Sequence, residues 1–320
     1  MIDTIDKKLL FELNLNCRKS NTELGKKLRI SKQVVNYRIN QLEKKEILRS
    51  YHALIDWRKL GFNAIRIYIK WQNISPEKEK EIYEVIRRDP FFMWTVKFQG
   101  EIDIAFYIWV ESIPKFADKW FSFLKKYGEY IAKEEIYESV RMVHYPMKPL
   151  SEAKTTSEKI IGDGEKESYD DKDYRILQEL TKNARTSIID ILSKIKLTPK
   201  AIISRIKKLE KNGIILGYNA LINIDKLGYK FYKVDFYLNN LSKIDKMNEF
   251  AKLNKSIVYR MRTIGGPDFE IEAMVKNSTE LKELIMKIRK AFPDTIKNYR
   301  ILEFEKTIKQ VYLPGGNINS

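Results

Sequence analysis

The chain repeats itself. Shifted by 167 positions, residues 6–62 fall on residues 173–229 without a gap, and 21 of the 57 paired positions are identical. The matches are patterned: Asp6/Asp173, Leu10/Leu177, Leu13/Leu180, Asn16/Asn183, Arg18/Arg185, Ser20/Ser187, Arg38/Arg205, Leu42/Leu209, Glu43/Glu210, Ile47/Ile214, Tyr51/Tyr218 and Leu60-Gly61/Leu227-Gly228. A match this long lies far outside the short periods of solenoids. A whole module has therefore been duplicated, and function is to be argued for the module first.

With 320 residues the chain has room for two to four domains, each able to bury a core. Its net charge of +17 points to a polyanionic partner, nucleic acid or an anionic membrane. The excess is densest in the repeated units: about +6 over residues 1–50 and about +5 over 170–217, against about +1 over 51–147. A single cysteine, Cys17, excludes an internal disulfide framework and a cysteine-based zinc site. Two histidines, His52 and His144, leave little for metal or acid–base chemistry, so no cofactor, metal or catalytic residue is expected. No apolar run spans a bilayer, and Met1-Ile2-Asp3-Thr4 does not begin a signal peptide, so the expected location is the cytoplasm, without a membrane partner.

In the first unit Ile5, Leu9, Leu10 and Leu13 recur at helical spacing. Ser20-Asn21-Thr22-Glu23 is a capping box opening a second helix, and after a tight turn at Arg29-Ile30, Ser31 caps a third that runs to about Lys44. Three short helices with one very short turn form the helix-turn-helix pattern. The third helix presents Lys32, Gln33, Asn36, Tyr37 and Asn40 outward, with Ser31 and Arg38 beside them. Amides, phenol and ammonium are the chemistry that reads base edges and grips phosphates. A basic helix face alone is often only solvated surface; the capping box, short turn, amide-rich helix and duplication together carry the reading. Residues 47–56 alternate as strand, a candidate wing.

These residues resemble the winged helix-turn-helix of the Lrp/AsnC transcriptional regulators: Asp6, Leu10, Leu13, Asn16-Cys17-Arg18, Ser20, Glu23-Leu24, Ile30-Ser31, Val35, Arg38-Ile39, Leu42-Glu43, Ile47, Tyr51, Ala53, Ile55-Asp56 and Leu60-Gly61. The chain departs from the family pattern where a turn glycine is common, at Arg29 and Lys196. It departs again after the recognition helix, where the second copy keeps Gly213 and the first has Glu46.

Beyond the first unit, Ile65, Ile67, Ile69 and Trp71 alternate with Arg66, Tyr68 and Lys70, the pattern of a half-buried strand. A helix from Pro76, strands at 93–98 and 104–108, a helix through Phe116, Trp120 and Phe123 and a strand at 135–145 complete a βαββαβ, ferredoxin-like order. Trp94, Trp109 and Trp120 read as core. The resemblance implies a RAM domain that binds a small effector such as an amino acid and mediates self-association. It places the effector near Gly100 and Asp103, and near Gly265 and Asp268 in the second copy. Residues 148–169 read as an exposed linker.

The second copy offers Lys200, Ser204, Lys207 and Lys208, with Arg205 beside them; Ile203 stands where the first copy has Asn36. The expected fold class is α+β, two winged helix-turn-helix domains (1–61 and 170–228) alternating with two ferredoxin-like domains (62–147 and 229–313), closed by a loose tail at 314–320. The expected function is a sequence-specific regulator of double-stranded DNA acting as an intramolecular pseudo-dimer, and not an enzyme. The rivals are a siroheme decarboxylase-like enzyme, which the same architecture resembles, and an architectural DNA-binding protein.

Overall fold

The computed structural model describes residues 2–152 and 155–314; the stretch 315–320 of the expected tail lies outside the described residues. The first copy runs α1 (Thr4–Leu15), α2 (Asn21–Leu28), α3 (Lys32–Lys44), β1 (Leu48–Ile55), β2 (Asn63–Trp71), α4 (Pro76–Arg88), β3 (Trp94–Gln99), β4 (Ile104–Val110), α5 (Ile113–Tyr127) and β5 (Ile131–His144). After β6 (Lys159–Ile161) the second copy repeats it as α6 (Asp171–Lys182), α7 (Ile188–Lys194), α8 (Pro199–Lys211), β7 (Ile215–Ile222), β8 (Lys230–Leu238), α9 (Ile244–Leu253), β9 (Ile257–Ile264), β10 (Phe269–Val275), α10 (Ser278–Ala291) and β11 (Ile296–Gln310). No helix among the described residues is long and apolar enough to cross a membrane.

The helices start where their caps dictate. Asp3 with Asp6, Ser20 with Glu23, and Asp170 with Asp173 form reciprocal capping boxes, each satisfying two orphan N–H groups. Ser31 accepts the Val34 N–H and Thr198 that of Ala201, so α3 and α8 begin alike. The turns before them differ. Arg29 takes the left-handed region at φ 57°, whereas Ile195 ends α7 in extended backbone.

No wing hairpin follows α3. Instead β1 pairs antiparallel with β7 of the other copy, forming a two-stranded ribbon between the helix trios. The trios share one apolar core through that ribbon, α1 lying on β7 and α6 on β1. Two bonds lock it with pseudo-twofold symmetry: Cys17 N–H to the Tyr218 carbonyl and Ala184 N–H to the Tyr51 carbonyl, both 2.9 Å.

The two ferredoxin-like sheets do not stand apart either. β3 pairs with β11 and β5 with β9, so the order β2-β4-β3-β11-β8-β10-β9-β5 closes on itself through β2–β5, and β6 is added along β5. Helices α4 and α5 cover one outer face and α9 and α10 the other. The strand read as half-buried is therefore buried on both faces. Ile65, Ile67 and Ile69 meet α4 and α5, while Arg66 and Tyr68 point into the ring, where the other copy's strands cover them.

The segment expected as an exposed linker is exposed at residues 152, 156–158, 163–166 and 168, but it is pinned between them like a strap. Leu150 and Ile161 are buried, and Gly162, at φ 87°, lies so close to Trp57 and the Val140 carbonyl that a Cβ has no room. The Asp56 carboxylate accepts the Gly162 N–H at 2.9 Å, and Lys59 pairs with Glu167.

After α3, Glu46 holds φ 53° where Gly213 holds 72° in the second copy. An L side chain is strained there, and the exposed Glu46–Lys226 pair at 2.9 Å offsets little of that strain. Glu46→Gly should therefore raise the thermal midpoint by ~2–4 °C, read by circular dichroism; an unchanged or lower midpoint contradicts the assigned strain.

Candidate functional site

The outward faces of α3 and α8 hold what the spacing predicts. Ser31, Lys32, Gln33, Asn36, Tyr37 and Asn40 are exposed, as are Lys200, Ser204, Lys207 and Lys208. The Asn36 side-chain carbonyl accepts from Asn21 at 3.2 Å, and Asn21 in turn accepts from Arg185 of the second copy at 3.0 Å. The second copy has Ile188 and Ile203 at the equivalent positions, and Ile203 is exposed.

Arg38 and Arg205 are not part of that face. Arg38 pairs with Asp3 and Asp6, both at 2.7 Å, and Arg205 with Asp170 and Asp173 at 2.8 and 2.7 Å. These arginines tie the third helix to the cap of the first, which corrects their expected place at the nucleic acid. Other repeated residues serve the joint between copies. The Arg18 guanidinium donates to the Ala184 carbonyl at 2.9 Å and lies over Tyr218, while Arg185 lies over Tyr51. Tyr51 donates to Glu43 and Tyr218 to Glu210, at 2.6 and 2.5 Å.

The turns at Gly100 and Gly265 also sit where copies meet. Gly100 packs on the Ile301 carbonyl of β11 and Gly265 on the Ile136 carbonyl of β5. Their aspartates are occupied: Asp103 accepts the Trp71 N–H at 2.7 Å and pairs with Lys70, and Asp268 accepts the Leu238 N–H at 2.8 Å.

The ring encloses a charge cluster that strand alternation did not reveal. Arg66 lies 2.6 Å from Glu270, Lys233 bonds the same carboxylate and lies 3.1 Å from Asp235, and Arg300 bridges Asp235 and Glu135, both at 2.9 Å. Burial alone would raise Glu270, but Arg66 and Lys233 outweigh it and hold the carboxyl low. For Glu272 the balance reverses: burial pushes its carboxyl up to about 7, and the opposing pull of Lys233 and Arg66 compensates only in part. The two copies supply unlike sets. Where the first has Arg66, Tyr68, Ala105, Tyr107 and Glu135, the second has Lys233, Asp235, Glu270, Glu272 and Arg300. Charges at positions held by Tyr68, Ala105 and Tyr107 in the first copy were the available signal.

Between ring and ribbon lies a cavity of about 380 Å³, lined among others by His52, Trp57, Trp94, Trp109, Glu272 and Tyr312. Of the three tryptophans expected in the core, Trp120 is there; Trp94 and Trp109 face this cavity. His52 stacks on Tyr312 at 3.6 Å and His144 on Tyr259 at 4.7 Å. Asn219 bonds His144 Nδ1 at 3.1 Å and accepts from Lys159 at 2.5 Å. Burial pushes both imidazoles down to about 3 and Lys159 down to about 8, so both histidines are neutral at pH 7. Among the described residues no group of three or more His, Cys, Asp or Glu is placed to hold a metal ion.

A family model described as winged helix-turn-helix DNA-binding matches residues 2–49 and 169–215. The HTH-type transcriptional regulator LrpB of Bacillus subtilis is 31% identical over 143 residues, which is 45% of this chain and 93% of that protein. The HTH-type transcriptional regulator Ptr1 of Methanocaldococcus jannaschii is 35% identical over 119 residues, 36% of this chain and 79% of that one. Over nearly the whole length the fold is similar to the siroheme decarboxylase NirDL, with TM-score 0.63, 14% identity and coverage of 99% of this chain and 95% of that one. The same enzyme in co-complex with an iron-uroporphyrin III analogue gives TM-score 0.62 at 14% identity, covering 98% and 94%. The expectation of a non-enzyme is corrected by this likeness: end to end, the tandem architecture is one that an enzyme also uses.

Between pH 4.5, the ordinary carboxyl value, and about 7, the folded chain holds a proton on Glu272 that the unfolded chain releases, so stability falls as pH rises through that window. The histidines act oppositely, losing stability as pH falls from 6.5 toward 3. Glu272→Gln removes only the first effect. From pH 5 to pH 8 the variant should gain about 3 kcal/mol on the wild type in denaturant unfolding; parallel pH profiles rule out a proton held on Glu272.

Proposed function

Because the chain belongs to the Lrp/AsnC family of transcriptional regulators, we propose that it is a sequence-specific regulator of double-stranded DNA working as an intramolecular pseudo-dimer. The carrying observation is the exposed amide and ammonium face of α3, on a helix whose capped N-terminus is free to meet a phosphate. Lys32, Gln33, Asn36, Tyr37 and Asn40 are assigned to base edges and backbone. Lys200, Lys207 and Lys208, with Ser204, grip phosphates, so the first copy supplies selectivity and the second mainly affinity. Half-sites then lie ~34 Å apart or a multiple of it, and need not be palindromic, because the two helices differ. A small effector such as an amino acid at the Gly100/Asp103 and Gly265/Asp268 turns would act where each copy meets the other's long strand. Self-association through the ring domains belongs to the same proposal.

A second reading is favoured by the whole-chain fold likeness and by a cavity that His52 lines: the chain takes a tetrapyrrole, as the decarboxylase takes the iron-uroporphyrin III analogue. Adding that analogue to the pure protein should then shift its visible absorbance; an unchanged spectrum removes this reading.

For the DNA reading, Lys200→Ala and Lys208→Ala should each lower the slope of log affinity against log salt by ~0.9, with the preferred sequence unchanged. Arg38→Ala should lower the thermal midpoint and leave that slope alone, since its charge is spent on Asp3 and Asp6. A changed sequence preference in the lysine variants, or a slope reduced by Arg38→Ala, contradicts the assignment.

A further inference from the structure

We infer that Arg185, a residue of the second copy, sets which base the first copy's Asn36 reads, and that this base is guanine. The role presupposes that α3 meets DNA, as proposed above, and adds which base edge Asn36 meets. Arg185 is fixed at the joint between the helix trios: its guanidinium lies 5.2 Å from the centre of the Tyr51 ring and donates to Asn21 Oδ1 at 3.0 Å. Asn21 Nδ2 in turn donates to Asn36 Oδ1 at 3.2 Å. Arg185 and Asn21 are half-buried, and Asn36 is exposed on α3.

The direction of this relay is dictated by its first member. A guanidinium only donates, so Asn21 must turn its carbonyl to Arg185 and its amine to Asn36. Asn36 then turns its own carbonyl back toward Asn21 and keeps its amine for a partner outside the protein. An unconstrained asparagine pairs with adenine by using both ends, accepting from N6 and donating to N7. Held by its carbonyl, Asn36 offers donors only, and these oppose the adenine N6 amine. The guanine edge carries two acceptors, O6 and N7, and no donor; thymine offers a single acceptor, O4, beside a methyl group. The second copy has no such relay. Ile188 and Ile203 stand in place of Asn21 and Asn36, and Arg18, the counterpart of Arg185, donates to the Ala184 carbonyl instead. The arginine recurs; the two asparagines that carry its direction outward do not.

Selection of bound duplexes from a randomised library with the full chain gives the preferred site, and Asn36→Ala marks the position that Asn36 reads, because preference is lost there. At that position the wild type should favour guanine over adenine ~10-fold in competition binding. Asn21→Asp places a carboxylate at the first residue of α2, where the helix dipole favours it, and keeps Arg185 paired. It offers only acceptors, so Asn36 must turn its amine inward and its carbonyl outward, and adenine should now be favoured over guanine. Arg185→Gln can accept as well as donate, so the relay runs either way and the two bases should bind about equally. A merely structural role for Arg185 would lower both affinities alike and leave their ratio unmoved. A wild type that favours adenine, an Asn36→Ala preference identical to wild type, or a ratio unmoved by both relay variants overturns this inference alone; a library from which no site emerges overturns the DNA reading with it.

Discussion

The pairing of β3 with β11 and of β5 with β9 is the constraint on which the rest of the molecule depends. Each ferredoxin-like sheet alone would expose strand edges, a standing invitation to aggregation. Joined edge to edge, the two sheets close a ring, and residues that would have been a solvated face become its interior. Only then do Arg66 and Arg300 lie deep in protein, and only then must each find a carboxylate from the other copy. The ribbon of β1 and β7 repeats the principle above the ring, carrying the helix trios as one body with one core.

Much of this was legible in the residues. The capping boxes, the alternation of Ile65, Ile67 and Ile69, and the repeat itself located nearly every element. Periodicity tells which side chains share a face, but not what covers that face. Arg66 and Tyr68 were accordingly read as outward, although the second copy buries them. The strap was missed for a related reason. Its few apolar residues, Leu150, Ile160 and Ile161, are too sparse to show a period, and its order comes from Trp57, Asp56 and Lys59, distant in sequence.

The site was legible unevenly. Short-range chemistry on α3 and α8 was readable because exposure follows from helical spacing. The roles of Arg38 and Arg205 were not, because their partners sit on α1 and α6, over thirty residues away. Recurrence between copies proved the less specific signal: Asn16, Arg18, Glu43 and Tyr51 recur because they build helix ends and the joint between copies. The third helices differ at their exposed positions, Asn36 against Ile203 and Tyr37 against Ser204. The cavity had no linear signature, since its walls are drawn from both copies and from the strand ends beneath the ribbon.

The unlike lining of the ring has a consequence for fidelity of assembly. In a homodimer every residue on the twofold axis meets its own image, so an acidic lining would confront itself. Here Arg66, Lys233 and Arg300 face Glu135, Asp235, Glu270 and Glu272, whereas two second halves brought together would set six carboxylates against four cations and double the acidic excess. Fusion into one polypeptide has thus let the halves become lock and key, each a poor match for a twin of itself.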